Sequence, residues 1–322
     1  MLLLDPETFG WDLTIIVLLC LSLASALCAL CWYQRKRGRR SVRIVAIVWI
    51  LVSLTAFGTL IYGSFIEPRL LITRTYGVPF AVSEQLRIVV MSDMHIGPYK
   101  GKSWLQKAVT EANNLLPDLV LLPGDFILGD ASDATALLEL QKLRTTMGVF
   151  AVLGNHDVGR IGWTSEGRVQ KRDRGDEIEN ILTQAGVQVL RNTHAQVEWG
   201  DDEVVIAGID DLWSDTSDLS STLDAISGNA PVILLSHNPS IVENSALRER
   251  VELVVSGHTH AGQLRLPGIG PILGVPTSIG DTYDEGYFLY KNIPLFITRG
   301  IGESGPRARL FAPPEVSLLL TQ

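Results

Sequence analysis

The stretch RIVVMSDMHIG (87–97) decides how this chain is read. It opens on an unbroken apolar run, Ile88 to Met91, and breaks off in Asp93-Met94-His95. A short run without alternation suits a strand buried on both faces. The pattern returns four times. LVLLPGD (119–125) ends in Asp125, and VFAVLGNHD (149–157) ends in Asn155, His156 and Asp157. VILLSHN (232–238) brings His237, and LVVSGHTH (253–260) brings His258 and His260. Helical patterns fall between these runs, over 104–116, 134–144 and 176–185. Further strands are expected at 204–209, 287–290, 295–298 and 316–320. Strands alternating with helices imply an α/β fold, and in such sheets the polar groups after successive strands collect at one edge.

Five of the six histidines lie in these positions; His194 alone does not. Carboxylates and imidazoles concentrated in a cleft are unfavourable without a counter-charge. Metal cations supply one. Imidazole, carboxylate and amide oxygen without thiolate suit Mn, Fe, Zn or Co, whereas calcium takes oxygen alone. Seven candidate ligands are too many for one tetrahedral zinc: Asp93, His95, Asp125, Asn155, His237, His258 and His260. They suit two divalent ions about 3.5–4 Å apart with a carboxylate between them.

The ordered set DMH, GD, GNHD, SHNP and GHTHAGQ, from Asp93 to Gln263, resembles the calcineurin-like metallophosphoesterase superfamily. Within it, the chain is similar to the bacterial membrane-associated branch of YkuE- and YaeI-like proteins. RLPGIGPI (265–272), TRGIG (298–302) and APPEVSLLL (312–320) add to that likeness. The resemblance implies a four-layer α/β/β/α sandwich, two β-sheets packed together with helices outside. It implies an enzyme that hydrolyses phosphomono- or phosphodiesters. It also implies roles by position: Asp93, His95 and His260 on one metal, Asn155, His237 and His258 on the other, and Asp125 between them. His156 would stay off the metals and face the substrate. By its chemistry His156 reads either as the acid that protonates the leaving oxygen, with Asp157, next in sequence, helping to hold it cationic, or as a residue that only positions phosphate.

Weaker expectations attach to the basic stretch 160–174, which contains Arg160, Arg168, Lys171, Arg172 and Arg174. It reads either as a solvated loop or as a lid for phosphate or anionic headgroups. Arg299 reads either as a phosphate contact or as one half of a salt bridge. Two other functions compete with the hydrolase: an inactive membrane receptor or scaffold on the same fold, and a small-nucleotide phosphodiesterase.

Upstream of the domain, 13–33 and 44–66 carry no charge and are long enough to span a bilayer. The acidic residues Asp5, Glu7 and Asp12 ahead of the first run argue against a cleaved signal. The intervening QRKRGRRSVR (34–43) is basic. Loops of that kind stay in the cytoplasm, so the expectation is a multi-pass inner-membrane protein of a bacterium with its catalytic domain outside. The chain then divides into an anchor (1–66), a linker (67–85) and a metallophosphoesterase domain (86–322). Residues 1–66 hold six of the 27 basic and three of the 35 acidic residues, which leaves 21 and 32 in 67–322, a net of −11. Such a charge disfavours long nucleic acid as a ligand. The expected partner is a phosphoester, a membrane lipid being one candidate; no protein partner is inferred. Cys20, Cys28 and Cys31 all lie in the first apolar run, so neither a disulfide framework nor a CxxC zinc site is expected.

Overall fold

Two apolar helices open the structure, a computed structural model that describes residues 6–36, 38–164 and 167–322. α1 (Pro6–Arg35) and α2 (Arg40–Ile61) fold back on one another as a hairpin. Both are long and apolar enough to cross a membrane, and residues such as Leu21, Leu51 and Val52 face outward. The few polar groups on the inner seam satisfy each other: Trp49 Nε1 donates to Ser25 Oγ at 2.8 Å, and Ser53 Oγ to the same oxygen at 3.1 Å. Such pairing is what an apolar surrounding demands of a hydroxyl. Beyond Ile61 the helix changes pitch, through a π turn at Tyr62–Ile66 and a 3-10 turn at Glu67–Arg69.

The remainder runs in chain order as β1 (Ile72–Val78), β2 (Arg87–Val90), α3 (Lys102–Asn114), β3 (Leu119–Leu122), β4 (Gly148–Ala151), β5 (Arg160–Thr164), β6 (Gly167–Gln170), α4 (Gly175–Gln184), β7 (Gln188–Val189), β8 (Thr193–Trp199), β9 (Asp202–Gly208), α5 (Leu219–Asp224), β10 (Val232–Leu235), β11 (Leu253–Ser256), β12 (Arg265–Leu266), β13 (Gly270–Pro271), β14 (Gly286–Tyr290), β15 (Ile293–Ile297) and β16 (Glu315–Thr321). One sheet has the order β1-β16-β2-β3-β4-β7 and the other β14-β15-β11-β10-β9-β8.

The apolar runs explain the layering. Successive side chains of a strand point to opposite faces. Ile88, Val90, Leu119, Leu121 and Phe150 point into the space between the sheets, where they meet Ile206, Ile233, Leu235, Val255 and Phe296. Val89, Val120, Leu122 and Ala151 point the other way, onto Leu105, Val109, Ile178 and Leu182 of α3 and α4. Val205, Val232, Leu234 and Val254 cover the far side with Leu219 and Leu223 of α5. Four layers result, and both faces of the central strands are dry. The parallel strands β2, β3 and β4 of one sheet, and β10 and β11 of the other, deliver their polar termini together.

Strands β7, β8, β12 and β13 were not expected, and three further segments differ from the sequence reading. The stretch expected as a linker, 67–85, contains β1, which lies parallel to β16 with Ile72 opposite Glu315. Most of its side chains are exposed or half-buried, with Thr73, Arg74 and Thr75 exposed in succession, so no apolar run marked this edge strand. The expected helix over 134–144 is a 3-10 helix, Ala134–Lys142, opened by Asp133, whose carboxylate accepts from Thr135 N–H at 3.0 Å. The basic stretch 160–174 holds the antiparallel pair β5–β6.

The helical hairpin does not hang from the domain on a loose tether. Asp12 of α1 accepts from Arg307 at 2.8 Å, and Tyr99 reaches the same carboxylate at 3.4 Å. At the end of α2, Gly63 O accepts from Arg309 N–H at 2.8 Å and Glu67 Oε1 from Ala312 N–H at 2.6 Å. Lys100 joins Pro68 O to Glu303. The start of α1 and the end of α2 therefore meet the domain, and the basic turn between them lies at the opposite end of the hairpin.

Candidate metal centre

Each candidate side chain sits just past a strand, on backbone bent sharply to present it. Asp93 (φ 51°), His95 (φ 44°), Asp125 (φ 57°), His258 (φ 71°) and His260 (φ 51°) all adopt left-handed conformations that non-glycine residues avoid. Five such residues in one place mark stored strain, which clusters at functional sites. The loops are laced together. Asp93 N–H donates to Gly124 O at 2.9 Å, His95 N–H to Asp125 O at 3.1 Å, and His258 N–H to the Asp93 carboxylate at 3.1 Å. Glycine is required at two close approaches: a Cβ on Gly154 would collide with the Asp125 carboxylate, and one on Gly257 with that of Asp93.

The side-chain atoms converge. His95 Nε2 lies 3.1 Å from His260 Nε2 and 3.5 Å from Asp125 Oδ2. His237 Nε2 lies 3.2 Å from the same Asp125 oxygen and 3.1 Å from Asn155 Oδ1. His260 Nε2 is 3.3 Å from Asp93. Three groups place donor atoms close enough to share an ion: Asp93, His95 and His260; Asp93, Asp125 and His237; and His95, Asp125 and His156.

Tautomers sharpen the fit to a cation. A carbonyl oxygen only accepts, so His237 Nδ1 donates to Pro123 O (2.7 Å) and His258 Nε2 donates to Pro276 O (3.1 Å). In the neutral rings this leaves lone pairs on His237 Nε2 and His258 Nδ1, which face each other at 3.1 Å. Two lone pairs at that distance repel unless something positive lies between or beside them. Outer partners that fix a ring in this way are what metal-binding histidines have.

Electrostatics agree. Burial, with some help from Asp125, pushes the Asp93 carboxyl up to about 7. Burial, then the neighbouring histidines, pulls His95 and His258 down to about 3, which keeps both imidazoles neutral and free to ligate. Burial also resists charge on His237, but Asp125, Asp93 and Asp211 outweigh it and push that ring up to about 10. Without a cation, the site draws a proton to its centre. The residues present therefore fit divalent metal, through their donor types, their fixed tautomers and their surplus of negative charge.

The weaker expectations fare unevenly. His156 stands at the cavity wall, its Nδ1 3.0 Å from Leu128 O and its Nε2 3.3 Å from Ser304 Oγ. Asp157 does not hold that ring. Its two oxygens accept four backbone N–H groups, from Gly154, Asp125, Phe126 and Ile127, at 2.9–3.3 Å. Sequence adjacency to His156 misplaced its role. Arg299 is buried between Glu285 and Glu315, so the salt-bridge alternative describes it. Arg174 is buried and bonds Gly129 O, Asp130 O, Ser132 O and Glu177, fixing a loop instead of offering itself to a ligand. Arg172 faces solvent beside Glu177 at 3.6 Å. Arg160 fixes the Asn155 turn through backbone bonds. The side chain of Arg168 lies outside the described residues.

Several residues of the site escaped the sequence. Trp213 sets its ring edge-on against His258, with centroids 4.8 Å apart. Gln263 binds Ser304 N–H (2.9 Å) and Pro306 O (3.1 Å), which holds the loop opposite His156. Arg309, wholly buried, bonds Gly302 O and Ala312 O and reaches His260 Nδ1 at 3.4 Å. Nothing in the sequence distinguished Arg309 from Arg307 two residues before it. The cavity above the histidines has a volume of about 270 Å³; its floor is polar, and its lip is formed by Trp213, Leu264, Leu273, Pro276 and Pro306.

Comparison with known proteins follows the same lines. Residues 86–262 match the calcineurin-like phosphoesterase family. The chain is 29% identical over 279 residues to the uncharacterized metallophosphoesterase YkuE of Bacillus subtilis, covering 83% of this chain and 91% of that one. It is 30% identical over 258 residues to the phosphodiesterase YaeI of Escherichia coli, covering 79% and 86%. It is 32% identical over 248 residues to a transmembrane protein with metallophosphoesterase domain from Danio rerio, covering 72% of this chain and 52% of that protein. The chain thus spans about half the length of the fish relative.

Proposed function

From the premise that this chain belongs to the calcineurin-like phosphoesterase family, metal-dependent hydrolases of phosphoric esters, we propose that its centre is dinuclear and acts on a phosphoester resident in a membrane. Asp93, His95 and His260 would hold one divalent ion of the Mn, Fe, Zn or Co class, Asn155, His237 and His258 the other, and Asp125 would lie between them. The observation that carries this reading is the convergence of His95, His237 and Asn155 on Asp125, with His237 Nε2 and His258 Nδ1 3.1 Å apart beside it. When bound, the cations supply acidification of water and neutralisation of charge on the phosphoryl oxygens.

The chain's own residues do the rest. Leu128 O fixes the His156 ring by accepting a hydrogen bond from Nδ1–H, which leaves Nε2 toward the cavity and Ser304 Oγ. A proton held at that Nε2 is placed to pass to a leaving oxygen.

His156→Ala tests the acid. It is expected to lower turnover of an alkyl phosphodiester by about 10²–10³-fold while metal content stays at two ions per chain. Hydrolysis of bis(p-nitrophenyl) phosphate, whose leaving group needs no proton, is expected to fall far less. Equal losses on both esters would make His156 a phosphate-positioning residue.

The membrane part of the reading rests on the two apolar helices and on the placement of the basic turn away from the domain. The turn, Arg35–Arg40, would be cytoplasmic, and Asp93 onward would lie outside, with 1–66 as anchor and the hydrolase domain beginning by β1, which pairs with β16. An alkaline phosphatase fusion after Ile66 is then expected to be active and a cytoplasmic fluorescent reporter at the same point dark. The reverse pattern would put the domain in the cytoplasm.

A further inference from the structure

The sequence LRLPGIGPILG (264–274) folds as a small hairpin, β12–β13, directly after the metal-site histidines. Its side chains face the wrong way for a water-soluble loop. Ile269, at the turn, is 78% exposed and Leu273 77%; Leu266 and Ile272 are also exposed. Turns are normally polar. Phe311 stands beside them, exposed and held in a left-handed conformation (φ 56°) that a bulky residue rarely adopts. Nothing within the described residues covers this apolar surface.

Its neighbours indicate what does. Three consecutive residues join it to the helical hairpin. Arg309 N–H donates to Gly63 O at the end of α2. Leu310 exchanges backbone bonds with the β12–β13 segment, accepting from Arg265 and donating to Gln263 O at 3.0 Å. Phe311 lines one cavity with Leu266 and Ile269. The apolar loop is thus hydrogen-bonded, through the short segment Arg309–Leu310, to the helix turn that carries the exposed Phe65 and Ile66. On the other side, Leu264 and Leu273 form part of the lip over His258 and His260. Exposed apolar side chains thus stand at intervals between the helix ends and the mouth of the site, with Arg265, Asp281 and Asp284 among them.

We propose that the 264–274 hairpin, with Phe311, is a lipid-contacting wedge that lies in the bilayer interface beside the helix ends and passes an amphiphilic phosphoester over the Leu264–Leu273 lip into the site. This rests on the membrane-resident substrate proposed above and adds its route. Exposed apolar side chains next to a membrane span gain by burial at the headgroup boundary. The lip then receives the apolar part of the ligand while the phosphoryl group meets the polar floor.

The test places a bimane on Ile269→Cys in a full-length chain whose Cys20, Cys28 and Cys31 are serine, reconstituted in phosphatidylcholine–phosphatidylglycerol vesicles with brominated acyl chains. Asp201→Cys, exposed in the β8–β9 turn, is the control. Quenching at 269 is expected to exceed that at 201 by about twofold or more. Equal quenching would overturn the proposal and leave the loop free for a protein partner or a second copy. A kinetic arm uses Ile269→Glu with Ile272→Glu, neither of which lines the catalytic cavity. Hydrolysis of hexadecyl p-nitrophenyl phosphate dissolved in the vesicles should fall about fivefold or more, and that of bis(p-nitrophenyl) phosphate should not change. Loss on both or on neither would overturn it. The quenching needs no catalysis. An inactive parent protein would therefore defeat the hydrolase reading while leaving the wedge, and an unquenched loop would do the reverse.

Discussion

Asp125→Asn is expected to lower turnover by at least about 10²-fold, through loss of metal. The carboxylate is already fully engaged. Oδ1 accepts His156 N–H at 2.9 Å, and Oδ2 faces His95 Nε2 at 3.5 Å and His237 Nε2 at 3.2 Å. Burial works against charge on Asp125, yet His237, His156 and His95 hold its carboxyl well below the usual carboxylate range. An amide keeps the size and the Oδ1 bond. It puts an NH₂ where Oδ2 was, facing ring nitrogens, and removes the negative charge that would serve both ions. The fold is expected to survive, because no core packing changes. Metal analysis and turnover on the same preparation check the result; wild-type metal with wild-type rate would remove the bridging role.

Asp157→Ala has the largest expected effect on stability, about 3–5 kcal/mol, shown as a large drop in the thermal unfolding midpoint of the full chain in detergent. Asp157 is fully buried, and four backbone N–H groups end on it. They come from the two loops that carry Asn155 and Asp125, so one carboxylate ties two metal-site loops together. Each orphaned donor costs about 1–3 kcal/mol before relaxation. Asp157→Asn should fall between, since one amide oxygen can still accept while its NH₂ opposes the other donors. If Asp157→Ala unfolds like wild type but loses activity, the residue belongs to the chemistry and not to the scaffold.

The distance between Asp157 and its sequence-derived role shows where residue reading ends. The strands β2, β3, β4, β10 and β11 were legible because both faces are dry, so each appears as an unbroken apolar run. The candidate ligands were legible because they follow those runs directly. β1 and β8 were not: ITRTYGV and THAQVEW are edge strands with mixed side chains, and β1 is specified by pairing with β16, more than 200 residues away. Arg299 and Arg174 were ambiguous because a salt bridge depends on partners such as Glu315 or on carbonyls such as Ser132 O, which tertiary folding supplies. The motif RLPGIGPI carried a family likeness in sequence; its exposure became meaningful only once β12–β13 lay beside the helix ends.

The central claim is that two divalent cations, held by the residues converging on Asp125, make this chain a phosphoester hydrolase. Elemental analysis of the purified full-length protein, paired with its rate on bis(p-nitrophenyl) phosphate, tests that claim most directly. Two ions per chain are expected, with hydrolysis abolished by a chelator and restored by manganese. A protein that hydrolyses the ester at the same rate after its metal has been stripped would contradict the account.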